Sequence, residues 1–212
     1  MFASSVYQQR RQALLQSLAA RGQSGCVLLM GQADEAYNFA SNPYPFRQDS
    51  SLLYYSGLSQ PGLALLLDID SGDTTLVVEP QSDDDRIWCE LQPTDALLAA
   101  SGVETWLTPA AARQRIATQS ARGTALHMLP AIRPAQTLAT QALSGLAELP
   151  PPSAALIQAV VQQREVKDAG EIAQIELAVG VATEMHEAAR QACASGVTEA
   201  HLVRLMHGVV AR

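Results

Sequence analysis

The sequence predicts an α/β domain with a mixed sheet, followed by helices that lack a sheet of their own. Three observations carry this. Short apolar runs alternate with helical stretches from Cys26 to Glu148, the pattern of a sheet covered by helices. Asp70-Ser71-Gly72-Asp73 is a hairpin signal, so at least one neighbouring pair of strands is antiparallel. Pro150-Pro151-Pro152 is a stiff break, and only helical patterns follow it.

Ser4 or Ser5 can cap a helix from about Tyr7 to Ala20, with Tyr7, Leu14 and Leu18 on the inner face, Arg10 and Arg11 largely off it, and Gly22 at its end. Cys26–Met30 is apolar between Gly25 and Gly31 and reads as a buried strand. Residues 32–41 read as a loop. Pro43 and Pro45 then hold Asn42 and Tyr44 extended, which makes a fixed arm before Phe46. Leu52–Tyr55, aromatic and apolar, suits a half-buried strand. Leu63–Ile69 and Thr74–Val78 pair across the hairpin turn.

Ile87, Trp88 and Leu91 belong to a short helix or turn. A helix over Thr94–Ala100 stops at Gly102. A strand over Val103–Leu107, a helix over Ala110–Gln119, a strand over Ala125–Leu129 and a helix over Thr137–Glu148 complete the first domain. His127, inside an apolar strand, is expected to be packed. The domain boundaries are 1–152 and 153–212. After the prolines, a helix begins at Ala154, and Asp168 with Glu171 forms a capping pair. Ile172, Ile175, Val179, Ala182, His186, Ala189 and Cys193 then make one stripe, with His186 read as a core histidine. Thr198 caps a second helix with Leu202, Leu205, Met206 and Val209 on one side.

Composition excludes several functions. Of 212 residues, 48% are hydrophobic and 17% charged, so a real core is available. Net charge is −7 with no basic block, which argues against nucleic acid. Cys26, Cys89 and Cys193 are too few and too scattered for a disulfide scaffold, pointing to a cytoplasmic protein. No apolar run approaches the ~20 residues that cross a bilayer, so no membrane partner is expected.

Residue chemistry alone offers candidates without an active site. Arg47 and Asp49 either tie the arm to the domain through charge-assisted hydrogen bonds or border a ligand cleft. Asp83, Asp84 and Asp85 are either a metal-binding cluster or a solvated helix start. His186-Glu187 lacks a second His at the zincin spacing, because Arg190 stands there. His201 and His207 fall on different helix faces. No nucleophile elbow, phosphate loop or dinucleotide fingerprint occurs.

Tyr-Pro-Phe-Arg-Gln-Asp-Ser at 44–50, then Tyr-Tyr-Ser-Gly-Leu at 54–58 and an apolar strand, resembles the signature of the amino-terminal domain of Xaa-Pro aminopeptidases (aminopeptidase P). Prolidases share a looser version. Arg164, Lys167 and Glu171-Ile172 are similar to the opening of that family's catalytic domain. The resemblance implies a creatinase-type amino-terminal domain followed by the first helices of an incomplete "pita-bread" metallopeptidase domain. It implies an enzyme that removes the first residue of peptides with proline second. The family's metal site, two Asp, one His and two Glu around two divalent ions, commonly Mn2+, falls beyond this sequence, so no catalytic or metal residue is assigned and the 212-residue chain alone is expected to be inactive. Tyr44, Arg47, Asp49 and Trp88 are the candidates for the substrate cleft or a subunit contact. Trp88 matches a family tryptophan, but Cys89-Glu90 follows it where the family often has glycine and basic residues. Proline-containing peptides and a homo-oligomer are the expected partners. The alternatives are a prolidase and a non-catalytic, peptidase-like protein-binding module.

Overall fold

The computed structural model describes residues 2–39, 41–82, 87 and 92–211. These divide into two compact units, Met1–Gln163 and Arg164–Arg212.

The first unit is built on a five-stranded sheet in the order β4-β3-β2-β1-β5. The strands are β1 (Cys26–Met30), β2 (Ala64–Asp68), β3 (Thr74–Val77), β4 (Thr105–Leu107) and β5 (Leu126–Met128). β2 runs antiparallel to β1 and β3, while β4 and β5 lie parallel to their neighbours. The sheet is therefore mixed, as the hairpin signal and the strand–helix alternation predict.

The helices are α1 (Ser4–Ala20), α2 (Ser50–Ser56), α3 (Thr94–Ser101), α4 (Pro109–Ala121), α5 (Pro134–Ser144) and α6 (Ala154–Glu165). They bury both faces of the sheet, and the strand pleat shows how. Val27 and Leu29 of β1 and Leu65 and Leu67 of β2 join Leu14, Leu18, Leu52, Leu97 and Leu156 in one core. The alternate residues Cys26, Leu28, Ala64 and Leu66 join Ala112, Ile116 and Leu143 in a second core. A strand covered on both sides has no polar face, which is why β1 and β2 read as unbroken apolar runs.

Leu52–Tyr55 is helical, correcting the expected strand. Asp49 caps the helix, its carboxylate accepting from the Ser51 and Leu52 amides at 2.8 and 3.0 Å. Gly57 closes it in the left-handed region at φ 72°. Only seven residues lie between, and Leu52, Tyr55 and Ser56 fall on one buried face at helical spacing. Apolar and aromatic content favoured a strand; the two caps decide otherwise.

α1 begins at Ser4, with Ala3 at its cap position and no side-chain cap there. Arg10 and Arg11 are buried, not off the inner face. Arg11 donates to the carbonyls of Tyr55 (2.7 Å), Ser101 (3.0 Å) and Gly102 (3.0 Å). Those are the C-terminal ends of α2 and α3, where helix dipoles leave partial negative charge. Burial lowers the Arg11 pKa to about 10. The Arg10 guanidinium lies 4.0 Å from the centroid of the Tyr54 ring. α5 starts at Pro134 and stops at Gly145, φ 71°, so it lies N-terminal to the expected 137–148 span. His127 is buried as expected, its ring nitrogens 3.0 Å from Ser153 Oγ and from the Ser24 carbonyl. Gln163 of α6 accepts from the Tyr55 hydroxyl (2.9 Å) and donates to the Arg10 carbonyl (2.8 Å).

The second unit is a helix pair, α7 (Ala169–Ala192) and α8 (Glu199–Val210). Asp168 and Glu171 form the expected capping box, and Thr198 caps α8 by accepting from the His201 amide. Neither helix has a fully buried residue. Ile172, Ile175 and Val179 are about half exposed, and His186 is exposed instead of packed in a core. The expected stripe exists, but its first half is only partly covered.

Candidate functional site

The arm from Asn42 to Asp49 is fixed at both ends. Its start forms a bridge, Ala36 with Pro43, and the Tyr44 amide donates to the Glu35 carbonyl at 2.8 Å. Its end is held by Gln48, whose Oε1 accepts from the Gln32 and Asp49 amides at 2.8 and 2.9 Å. Gln48 Nε2 donates to the Gln60 carbonyl at 2.7 Å. Gly31 makes room: a Cβ there would lie 2.5 Å from the Leu63 carbonyl oxygen and 2.8 Å from Gln48 Oε1.

The candidates drawn from sequence sit around this arm without converging on one point. Asp49 caps α2, and its second oxygen lies 3.5 Å from Gln136 Nε2. Arg47 is exposed and has no hydrogen bond or ion pair among the described residues. The expected Arg47–Asp49 tie is therefore made by Gln48 instead. Tyr44 is 46% exposed and stacks on Tyr37 with ring centroids 3.6 Å apart. Trp88, Asp83, Asp84, Asp85, Cys89 and Leu91 lie outside the described residues.

Beside the arm, a cleft of about 540 Å³ opens at the carboxyl ends of β1 and β3. Ligands of open α/β sheets bind at this edge. Met30, Ala64, Val77, Ala139 and Leu143 form an apolar lining, to which α4 contributes its start and α5 one side along its length. Asp34, Glu35 and Arg113 supply its charge. Glu35 pairs with Arg133 at 3.3 Å. Gln136, missed by sequence reasoning, organises the wall: Oε1 accepts from the Ile132 amide (3.0 Å) and Nε2 donates to the Met30 carbonyl (3.2 Å). A glutamine in the first turn after Arg133-Pro134 carries no signal that would mark it. A smaller cavity of about 210 Å³ adjoins, lined by Asp49, Met128 and Pro150 among others.

These features suit binding and shaping. Among the described residues, no group of three or more His, Cys, Asp or Glu side chains could hold a metal ion. No helix among them is long and apolar enough to cross a membrane.

The fold is a mixed-sheet α/β domain with an apolar cleft at one sheet edge. The family model for the aminopeptidase P N-terminal domain matches residues 7–126; the chain belongs to that family. It is 28% identical over 176 residues to a probable Xaa-Pro aminopeptidase of Aspergillus clavatus, covering 81% of this chain and 36% of that protein. The Escherichia coli aminopeptidase P structure in its low-pH form matches all of this chain and 50% of its own, with TM-score 0.80 and 22% identity. A zinc-substituted form of the same protein in complex with product matches over the same shares, with TM-score 0.77. The chain thus spans about half, or less, of the proteins it matches.

Proposed function

We propose that this chain is the amino-terminal, access-shaping part of a metal-dependent Xaa-Pro aminopeptidase, joined to the first helices of its catalytic domain. The boundary between the two parts is placed at the triple proline, 1–152 and 153–212. The observation that carries the reading is joint: the family match covers residues 7–126 of the sheet domain, and the structural match continues through α7 and α8 to half of an aminopeptidase P.

The enzyme's metal ions, two and commonly manganese in the family, find no matching ligand set among the described residues. No chemical step is assigned to this chain. Its part is to hold a rigid arm and an apolar cleft beside the path of a proline-containing peptide. Tyr44, Arg47, Asp49 and Trp88 border that path or a neighbouring subunit of a cytoplasmic homo-oligomer. Asp49 acts through the position of α2 and not by direct contact.

The test is release of the first residue from a tripeptide with proline second, with Mn2+ or Zn2+ supplied. The 212-residue chain is expected to show no turnover, while a longer gene product containing it is expected to show chelator-sensitive turnover. Metal-dependent cleavage by the short chain overturns the assignment of roles. A longer product that cuts only dipeptides replaces the reading with a prolidase, and one that cuts nothing replaces it with a binding module.

A further inference from the structure

The charges of the cleft are unevenly satisfied. Glu35 is neutralised by Arg133. Asp34 and Arg113 also line the cleft, and neither has an ion pair or side-chain hydrogen bond among the described residues. Among the described residues one unpaired carboxylate and one unpaired guanidinium, both on solvent-exposed residues, thus stand at the edge of a shared apolar cavity of about 540 Å³, within the usual range for a small-molecule site. A ligand of single charge would meet one of these groups and be repelled by the other. A purely apolar ligand would use neither.

We infer that this cleft binds short zwitterionic peptides. Asp34 receives the α-ammonium group, Arg113 takes the α-carboxylate through its planar fork, and an apolar side chain packs on the lining around Ala139. The ligand class comes from these charges and the lining, so it stands apart from the peptidase reading. Proline is not required by anything in the cleft.

The test is an NMR titration of the 15N-labelled chain with the dipeptide Ala-Leu, which lacks proline. Saturable shifts are expected at Gly31 and Gly62, which line the cleft. N-acetyl-Ala-Leu and Ala-Leu amide are each expected to bind about fivefold more weakly, as are free leucine and the variants Asp34→Asn and Arg113→Gln with Ala-Leu. Asp34→Asn should lose the preference for a free amine over the acetylated peptide. Arg113→Gln should lose the preference for a free carboxylate over the amide. Ala139→Phe fills the cleft and should abolish the shifts. Equal binding of capped and uncapped peptides, equal binding of free leucine, shifts that map away from the cleft, or no saturable shift up to about 10 mM ligand would each overturn the inference. Binding without turnover supports it even if no proline peptide is ever cut.

Discussion

Residues 2–163 bury Leu14, Leu18, Leu52, Leu65, Leu67 and Leu156 completely, whereas residues 164–211 bury none to that degree. Both regions obey the same local rules. Each has an aspartate-capped helix with apolar spacing that marks an inner face. What differs is what that face meets. In the first region the inward apolar residues of the helices join one of two cores with the strands. In the second, Ala182, Met185 and Ala189 of α7 and Leu202, Met206 and Val209 of α8 are only partly covered. Ile172 and Ile175 stay about half exposed. Capping and periodicity specify a helix, but most of a helix's stability in water comes from packing its apolar face.

The largest expected effect separates the regions by burial. Leu65→Ala removes a side chain with 0% exposure from the core between sheet and helices and should lower unfolding free energy by about 3–5 kcal/mol. Ile175→Ala acts on a residue 49% exposed and should change it by less than about 0.5 kcal/mol. Urea unfolding followed by circular dichroism gives both. Comparable losses would show that the stripe of α7 is covered in solution, by self-association for example, and would break the contrast.

Arg11 sharpens it next. A cation without an acidic partner among the described residues is held by three carbonyls at two helix ends. Arg11→Met keeps most of the bulk but takes the guanidinium donors from the Tyr55 and Ser101 carbonyls, while Gln8 Nε2 still donates to that of Gly102, so a loss of about 3 kcal/mol is expected. Arg190, the matched control in the second region, pairs with Glu187 on the same exposed helix face. Arg190→Met should leave the unfolding midpoint of residues 2–163 unchanged.

The cores of these two regions were not equally legible. β1 is found at the predicted residues, and β2 with β3 form the predicted hairpin, because strands buried on both faces are unbroken apolar runs. The Asp168–Glu171 box was legible because a cap is a local, fixed-spacing device. Leu52–Tyr55 was misjudged because aromatic content outweighed an aspartate cap and a glycine stop. Arg11 was misjudged because its partners lie 44 to 91 positions away in sequence, and no pattern along one helix reports them. The cleft was only half legible. The arm and Asp49 were marked by a family signature, but Arg113, Gln136 and Ala139 come from helices whose inward turns carry ordinary residues.

Two cysteines give a smaller and pH-dependent contrast. Burial pushes the Cys26 thiol up to about 11 from an ordinary 9, with Arg115 opposing and Asp68 adding to the rise; Cys193 is exposed. The folded state keeps the Cys26 proton after the unfolded state has released it. This stability is complete below pH 9 and is lost as pH rises through about 11, an effect on the order of 2 kcal/mol. Cys26→Ala should flatten that alkaline slope. In a Cys89→Ser background, a disulfide reagent should label Cys193 rapidly and Cys26 only as fast as the core opens. Equal labelling rates would mean that the sheet opens locally around β1.

The smallest effect compares one residue type doing one job in both regions. Asp49 and Asp168 each cap a helix by accepting backbone amides. Removing either carboxylate should cost about 1 kcal/mol locally. The consequences part company beyond the helix end. α2 is seven residues long and fully buries Leu52 and Tyr55, so fraying its start loosens the core and Asp49→Ala should lower the unfolding midpoint of the whole first region. Asp49→Asn, an equally good cap, should restore it. α7 has 24 residues and no fully buried side chain, so Asp168→Ala should speed amide exchange over its first two turns and leave the midpoint of residues 2–163 where it was. If Asp168→Ala moved that midpoint as far as Asp49→Ala does, the stability of the sheet domain would depend on a helix pair that buries nothing fully, and packing could not be the difference between the two regions.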